Sequence, residues 1–414
     1  MSDTALSRRD DPGISWAAVI YFVSIITAVM GAFMLLPGLF DLADRHPDSG
    51  IFFLCAFGCL FVGIGSAIAM RGGHLHVRQS ETLLLLPITW IFSCLVSALP
   101  FMLSSMNMSF TDAVFETVSG LTNTGSSVIT GLDTAPRGIL FWRFLLQWIG
   151  GFGVVTIAVL ALPFLRIGGL QLFSLDLSPQ SSKFLPRITE VISQIGMIYI
   201  ALTIACAVSF WLAGMSAFDA IGHAMTALAT GGYSSHDSGI GYFESPAIEW
   251  IAVLFMALGA MPFGHYIMIL LGRPDAFYKD QQVQLFLGII LACVAMLTAW
   301  RMAQADIPLM QAVREAAFVT VNTITTTGFS GYDFSSWGGF PDTLAFILML
   351  VGGCTGSTVG GIKVFRIHAM LQTLRAQVHR QIYPHGTFRV TFNGVLIPET
   401  VRAGVANYVF IYLL

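Results

Sequence analysis

The chain alternates long apolar runs with short polar breaks. A helix needs about 20 apolar residues to cross a bilayer. Runs of that kind lie at about 16–40, 50–70, 82–104, 138–165, 188–213, 246–272, 283–301 and 340–368, with a last one starting near 400. Three of the breaks hold an apolar segment too short to span, closed by a Thr/Gly cluster, at residues 110–128, 218–234 and 313–330. A half-length helix followed by a return to the same side describes a re-entrant loop. Non-helical backbone survives at membrane depth only where it lines a cavity or is buried in protein.

These loops form an internal repeat. Gly125, Gly231 and Gly328 recur at spacings of 106 and 97 residues, preceded by Thr124, Thr230 and Thr327. A long helix is expected before and after each loop. The helices that follow share a glycine-rich register at 148–153, 258–264 and 351–356. The pattern predicts an all-α membrane protein built from repeated helix–pore-loop–helix units.

Composition sharpens this. Hydrophobic residues make up 55% of the 414 and charged residues 10%, with a mean hydropathy of +0.76. Soluble domains carry about 25% charged residues, so a soluble protein is excluded. The net charge of −3, with no basic stripe, gives no sign of a nucleic-acid partner. With the N-terminus placed in the cytoplasm, 15 Lys and Arg residues fall inside and five outside, namely Arg45, Arg137, Arg143, Arg301 and Arg314. That asymmetry obeys the positive-inside rule and puts all three loops on the outer side. The six cysteines form no C-x-x-C pair and read as reduced packing residues. The first 15 residues are polar and the apolar run after them is too long for a signal peptide, so no cleaved leader is expected.

The loops suit a dehydrated cation, which needs oxygens to replace its water shell. Backbone carbonyls supply them when several loops converge on one axis. Glycine permits backbone conformations that a Cβ obstructs, and threonine adds a hydroxyl and a stiff backbone. The expected ligand-bearing stretches are 122–126, 228–232 and 325–329. Their candidate ion-contacting residues are Thr122, Asn123, Thr124 and Gly125, then Leu228, Ala229, Thr230 and Gly231, then Thr325, Thr326, Thr327 and Gly328. Each short helix would aim the negative end of its dipole at the ion. Asp112 and Asp219, near two helix starts, read as capping residues. Glu116 and His223 read as hydrogen-bonded partners behind the loops rather than as ligands.

The motifs TNTGSS, ATGGYS and TTTGFS, with GGCTGSTVGGIKVFR at 352–366, resemble the Trk/Ktr/HKT superfamily of potassium transporters. Two extra N-terminal spans make the chain most similar to the bacterial TrkH/TrkG branch. The resemblance implies potassium as the transported ion and no covalently bound cofactor. It also implies four units around a pseudo-fourfold pore in the bacterial inner membrane. Its selectivity-filter glycines map onto Gly125, Gly231 and Gly328, and glycine rather than serine at Gly125 resembles the potassium-selective members. The implied partners are a second copy in a homodimer, membrane lipid, and a TrkA-like cytoplasmic regulator that binds NAD or ATP. On this frame 1–79 is a two-helix extension, 80–170, 171–280 and 281–380 are pore units, and 381–414 begins a fourth. Its filter is expected about 100 residues after Gly328, past Leu414, so the sequence is expected to be a truncated piece.

Residues 352–361 carry five glycines in ten positions, which disfavours regular helix. Taken alone they fit either a kink with close packing or a mobile segment; the resemblance implies an intramembrane gate. Its candidate residues are Gly352, Gly353, Thr355, Gly356, Ser357, Thr358, Gly360, Gly361 and Lys363. The stretch lacks the G-x-x-x-x-G-K-[ST] spacing of a phosphate-binding loop. The mixed segments 166–190 and 366–389 are candidates for docking the regulator. A secondary transporter coupling potassium to protons or sodium is the alternative, although the repeats share one orientation and mid-span acids are scarce. No H-E-x-x-H or G-x-S-x-G motif supports an enzyme.

Overall fold

The computed structural model describes residues 16–71, 79–161 and 184–414. The end of the expected 138–165 span and most of the 166–190 segment lie outside them. The chain divides into two compact units, one of residues 1–117 with 136–139, the other of 118–135 with 140–414.

The first unit holds α1 (Trp16–Ala43), α2 (Asp48–Met70), α3 (Gln79–Ser97), the short α4 (Leu99–Leu103) and most of α5 (Phe110–Leu121). Helices α1 and α2 pack closely because small residues sit at their crossing. A Cβ on Gly31 would stand 2.8 Å from the Cβ of Cys59, and one on Gly63 would stand 2.6 Å from the Ala28 nitrogen. Two buried acids tie down neighbouring chain: Asp48 accepts from the Ser105 backbone at 3.0 Å and hydroxyl at 2.7 Å, and Asp41 accepts from Gly138 N–H at 2.6 Å. Expected spans one to three are these helices, the third running Leu84–Leu103 across the α3–α4 junction.

The second unit continues with α6 (Arg137–Ala161), α7 (Phe184–Leu212), α8 (Ala217–Ala229), α9 (Pro246–Gly259), α10 (Phe263–Leu270), α11 (Asp275–Lys279) and α12 (Gln281–Gln304). It ends with α13 (Leu309–Ile324), α14 (Gly339–Val351), α15 (Val364–Ile382), the hairpin of β1 (Thr391–Phe392) and β2 (Val395–Leu396), and α16 (Glu399–Leu413). Its main core gathers Phe210, Phe255, Met256, Phe286 and Phe318 from α7, α9, α12 and α13. All six cysteines are free and buried, as packing residues are.

Two expected spans are broken. The run at 246–272 is not one helix: α9 and α10 meet at 90° around Pro262. Proline supplies no N–H and ends the first helix, and the groups freed there find partners in the other break. Phe263 N–H donates to the Gly356 carbonyl at 3.0 Å, and Cys354 N–H donates to the Ala260 carbonyl at 3.0 Å. The run at 340–368 stops at Val351, stays irregular over 352–363 and resumes as α15. Gly352, Gly356 and Gly361 adopt φ of 69°, 83° and 80° there, conformations that favour glycine.

Candidate functional site

Helices α5, α8 and α13 are the three expected half-length helices, and they end alike. In each, two backbone N–H groups fold back onto the last turn. Asn123, Thr230 and Thr326 donate to the carbonyls of Gly120, Ala227 and Thr323, and the next residues, Thr124, Gly231 and Thr327, donate to Ser119, Thr226 and Asn322. This pattern caps a helix through a left-handed residue. Asn123, Thr230 and Thr326 accordingly carry φ of 55°, 55° and 53°. Threonine rarely adopts that conformation.

The residue two further on is a glycine with positive φ in every loop: Gly125 at 80°, Gly232 at 80° and Gly328 at 76°. This corrects the repeat register. Gly232, not Gly231, is the counterpart of Gly125 and Gly328, while Gly231 pairs with Thr124 and Thr327. The second stretch is therefore 229–232, opposite 122–125 and 325–328. Leu228 pairs with Leu121 and Ile324 inside the helix ends, and its carbonyl accepts from Thr358 Oγ1 at 3.2 Å. The doubled glycine in ATGGYS misled a count made on sequence alone.

The loops touch one another through these glycines. A Cβ on Gly125 would collide with the Gly231 carbonyl oxygen, and one on Gly232 with the carbonyl oxygen of Thr327. Asn123 Nδ2 donates to the Ala229 carbonyl at 2.8 Å, tying the first loop to the second. Thr122, Asn123, Thr124, Thr230, Thr326 and Gly328 line a cavity of about 880 Å³. Thr358, Val359, Gly360 and Gly361 line it as well.

The irregular segment 352–363 is hydrogen-bonded to two of the loops. Thr358 Oγ1 lies 3.1 Å from Thr230 Oγ1 and donates to the Gly259 carbonyl at 3.1 Å. Gly360 N–H donates to Thr326 Oγ1 at 3.3 Å. Both left-handed threonines are thus held by this segment. Thr355 N–H donates to Gln282 Oε1 at 2.8 Å, and Ser357 Oγ to the Cys354 carbonyl at 2.6 Å. Lys363 Nζ turns back to the Val359 carbonyl. Gly352 and Gly361 pack backbone to backbone, since a Cβ on Gly361 would stand 2.7 Å from the Gly352 Cα; Gly353 packs against Val359. The structure thereby brings together candidate residues of the loops and of the irregular segment.

A family model described as TrkH, cation transport protein, matches residues 53–413. The chain belongs to the TrkH family. It is 34% identical to the Trk system potassium uptake protein TrkI of Halomonas elongata over 100% of this chain and 84% of that one. It is 34% identical to TrkH of Escherichia coli K12 over 96% and 83%. The crystal structure of the potassium transporter TrkH from Vibrio parahaemolyticus superposes with a TM-score of 0.88 at 33% identity, covering 97% of this chain and 84% of that one. The TrkH family is one of cation transporters, not enzymes.

Several side chains of this TrkH-family chain escaped the sequence reading. Gln147 on α6 grips the second loop twice: its Nε2 donates to the Gly231 carbonyl at 2.7 Å, and its Oε1 accepts from Tyr233 N–H at 3.0 Å. Arg143, assigned by charge counting to the outer side, is 1% exposed. It donates to the Ser234 carbonyl at 3.0 Å and to Ser127 Oγ at 3.1 Å, and lies over the Tyr233 ring. The signal was available, because polar groups inside an apolar run are functional candidates by default. His223 is buried behind the second loop, hydrogen-bonded to the Asp219 carbonyl and Ser234 Oγ. Glu116 is buried within α5. The capping expectation for Asp112 and Asp219 takes a particular form. Ser109 and Ser216 are the cap residues, each accepting from the aspartate N–H and donating to its carboxylate.

Proposed function

We infer that this chain carries potassium into the cell along the path lined by its three loops. The observation that supports this most is the threefold recurrence of one loop geometry, a left-handed residue, a spacer and a left-handed glycine, around a single cavity. Carbonyls held that way can replace a hydration shell. Relatives covering most of their length are named potassium uptake proteins. Residues 122–125, 229–232 and 325–328 then form the selectivity filter, each in its own pore unit, within 80–170, 171–280 and 281–380. Segment 352–363 is the gate. It lines the same cavity and is hydrogen-bonded to two of the loops.

The charge asymmetry supports an inner-membrane orientation with a cytoplasmic N-terminus. Potassium then enters down the membrane potential, gaining about 2.3 kcal/mol per charge per 100 mV. On this orientation α15, with Arg375 and Arg380 exposed, faces the cytoplasm and offers a basic surface to a TrkA-like nucleotide-binding regulator. Homodimerisation follows from the family resemblance. The test is rubidium-86 uptake by potassium-uptake-deficient cells expressing the chain. Competition by potassium at far lower concentration than by sodium is expected; equal competition would contradict the filter.

A further inference from the structure

A second repeat runs behind the first. Ser119 Oγ donates to the Ser126 carbonyl at 2.6 Å, Thr226 Oγ1 to the Tyr233 carbonyl at 2.9 Å, and Asn322 Nδ2 to the Phe329 carbonyl at 2.9 Å. Each strap spans seven residues, and each ends on the residue that follows the left-handed glycine. The donor belongs to the last turns of the short helix and the acceptor to the returning chain, so every loop is closed into a ring by one side chain. The three straps differ in strength. Asn322 holds Phe329 twice, because its Oδ1 also accepts from Phe329 N–H at 2.8 Å. In the second loop that N–H partner comes from Gln147, leaving Thr226 with the carbonyl alone.

Resting on the reading of the loops as the ion path, we propose that Ser119, Thr226 and Asn322 are positioning residues for ion selection, with Asn322 dominant. The strap holds the carbonyl after each glycine against its own helix. At Ser126 the Tyr233 hydroxyl remains as a second donor at 3.2 Å, but at Tyr233 and Phe329, both buried, a carbonyl stripped of its strap donor is left in a costly state. It gains a partner by rotating toward a cation. An extra oxygen on a loosened loop closes around a smaller ion, so sodium gains relative to potassium. A rigid loop denies it that gain.

The test uses two pairs of variants in cells, read by rubidium-86 uptake with potassium or sodium as competitor. Thr226→Val removes the donor at nearly constant shape, and Thr226→Ser keeps it. Asn322→Ala removes both bonds, and Asn322→Ser keeps one donor of the kind found in the first loop. The ratio of half-inhibiting sodium to half-inhibiting potassium is expected to fall about tenfold in Asn322→Ala, a change of about 1.4 kcal/mol in discrimination. A smaller fall is expected in Thr226→Val, little change in Thr226→Ser and an intermediate value in Asn322→Ser. Unchanged ratios in transporting Asn322→Ala and Thr226→Val would overturn the proposal. So would failure of both to accumulate in the membrane, which would make the straps folding elements. Gly125→Ser, measured alongside, separates the two ideas: if it shifts the ratio and the strap variants do not, only the straps lose their role.

Discussion

The hydroxyl of Thr358, in the irregular segment, lies 3.1 Å from the hydroxyl of Thr230, the left-handed residue of the second loop. Thr358 Oγ1 is also within hydrogen-bonding distance of the carbonyls of Leu228 and Gly259. One side chain therefore joins the segment to the second loop and to the break between α9 and α10.

That junction predicts a change in flux. A buried hydrogen bond contributes about 1 kcal/mol net, so Thr358→Val loosens the segment at its best-held point while keeping its shape. Uptake of rubidium-86 in the absence of regulator is expected to rise several-fold, with Thr358→Ser near the parent. An unchanged rate in Thr358→Val would mean that the segment does not limit passage.

The corrected register predicts an asymmetry between adjacent glycines. In Gly232→Ala the new Cβ meets a backbone oxygen at φ of 80°, and neither can yield without moving a loop. In Gly231→Ala it meets the Gln147 side chain, 2.5 Å from Oε1, which can shift at the cost of its two hydrogen bonds to the loop. Gly232→Ala is expected to lose most uptake and Gly231→Ala to retain a measurable share. The reverse order would restore Gly231 as the counterpart of Gly125.

A third prediction concerns Asp280, at the start of α12. Its Oδ1 caps the helix by accepting from Gln282 and Val283 N–H at 2.8 and 3.0 Å. Its Oδ2 lies 2.7 Å from Asn393 Nδ2 and 3.2 Å from His265 Nε2. Burial pushes the carboxyl up, but hydrogen bonds from His265, Asn393 and Val283 more than offset it, and the net shift is downward. A lowered carboxyl contributes stability that is present above the unfolded value and lost as pH falls through the folded one. Asp280→Ala is expected to lower thermal stability in detergent by about 1 kcal/mol or more at neutral pH. The gap should narrow on acidification below about pH 4. A gap that stays constant with pH would show that the charge contributes nothing.

The helices and the half-length loop segments were legible because hydrophobic length is a strong signal that needs no tertiary knowledge. The interruption after Val351 was legible because five glycines in ten residues oppose helix. The break at Pro262 was not, since its freed groups are satisfied by Cys354 and Gly356, about 90 residues away in sequence. The loop register failed by one residue because sequence reports two glycines and only φ says which is left-handed. The straps were hidden for the same reason. Ser119, Thr226 and Asn322 align only once Gly232 takes its proper place, and three different residue types then do one task.

Ion selection by the loops is the centre of the account, and Gly125→Ser with Gly328→Ser tests it most directly. At Gly125 a side chain meets the neighbouring carbonyl; at Gly328 nothing stands within 4 Å, and only the φ of 76° resists substitution. The measurement is the sodium-to-potassium ratio of half-inhibition of rubidium-86 uptake in cells carrying each variant. The account predicts a lowered ratio in both, with the larger fall in Gly125→Ser. Parent ratios in both, with uptake intact, would take the loops out of the ion path.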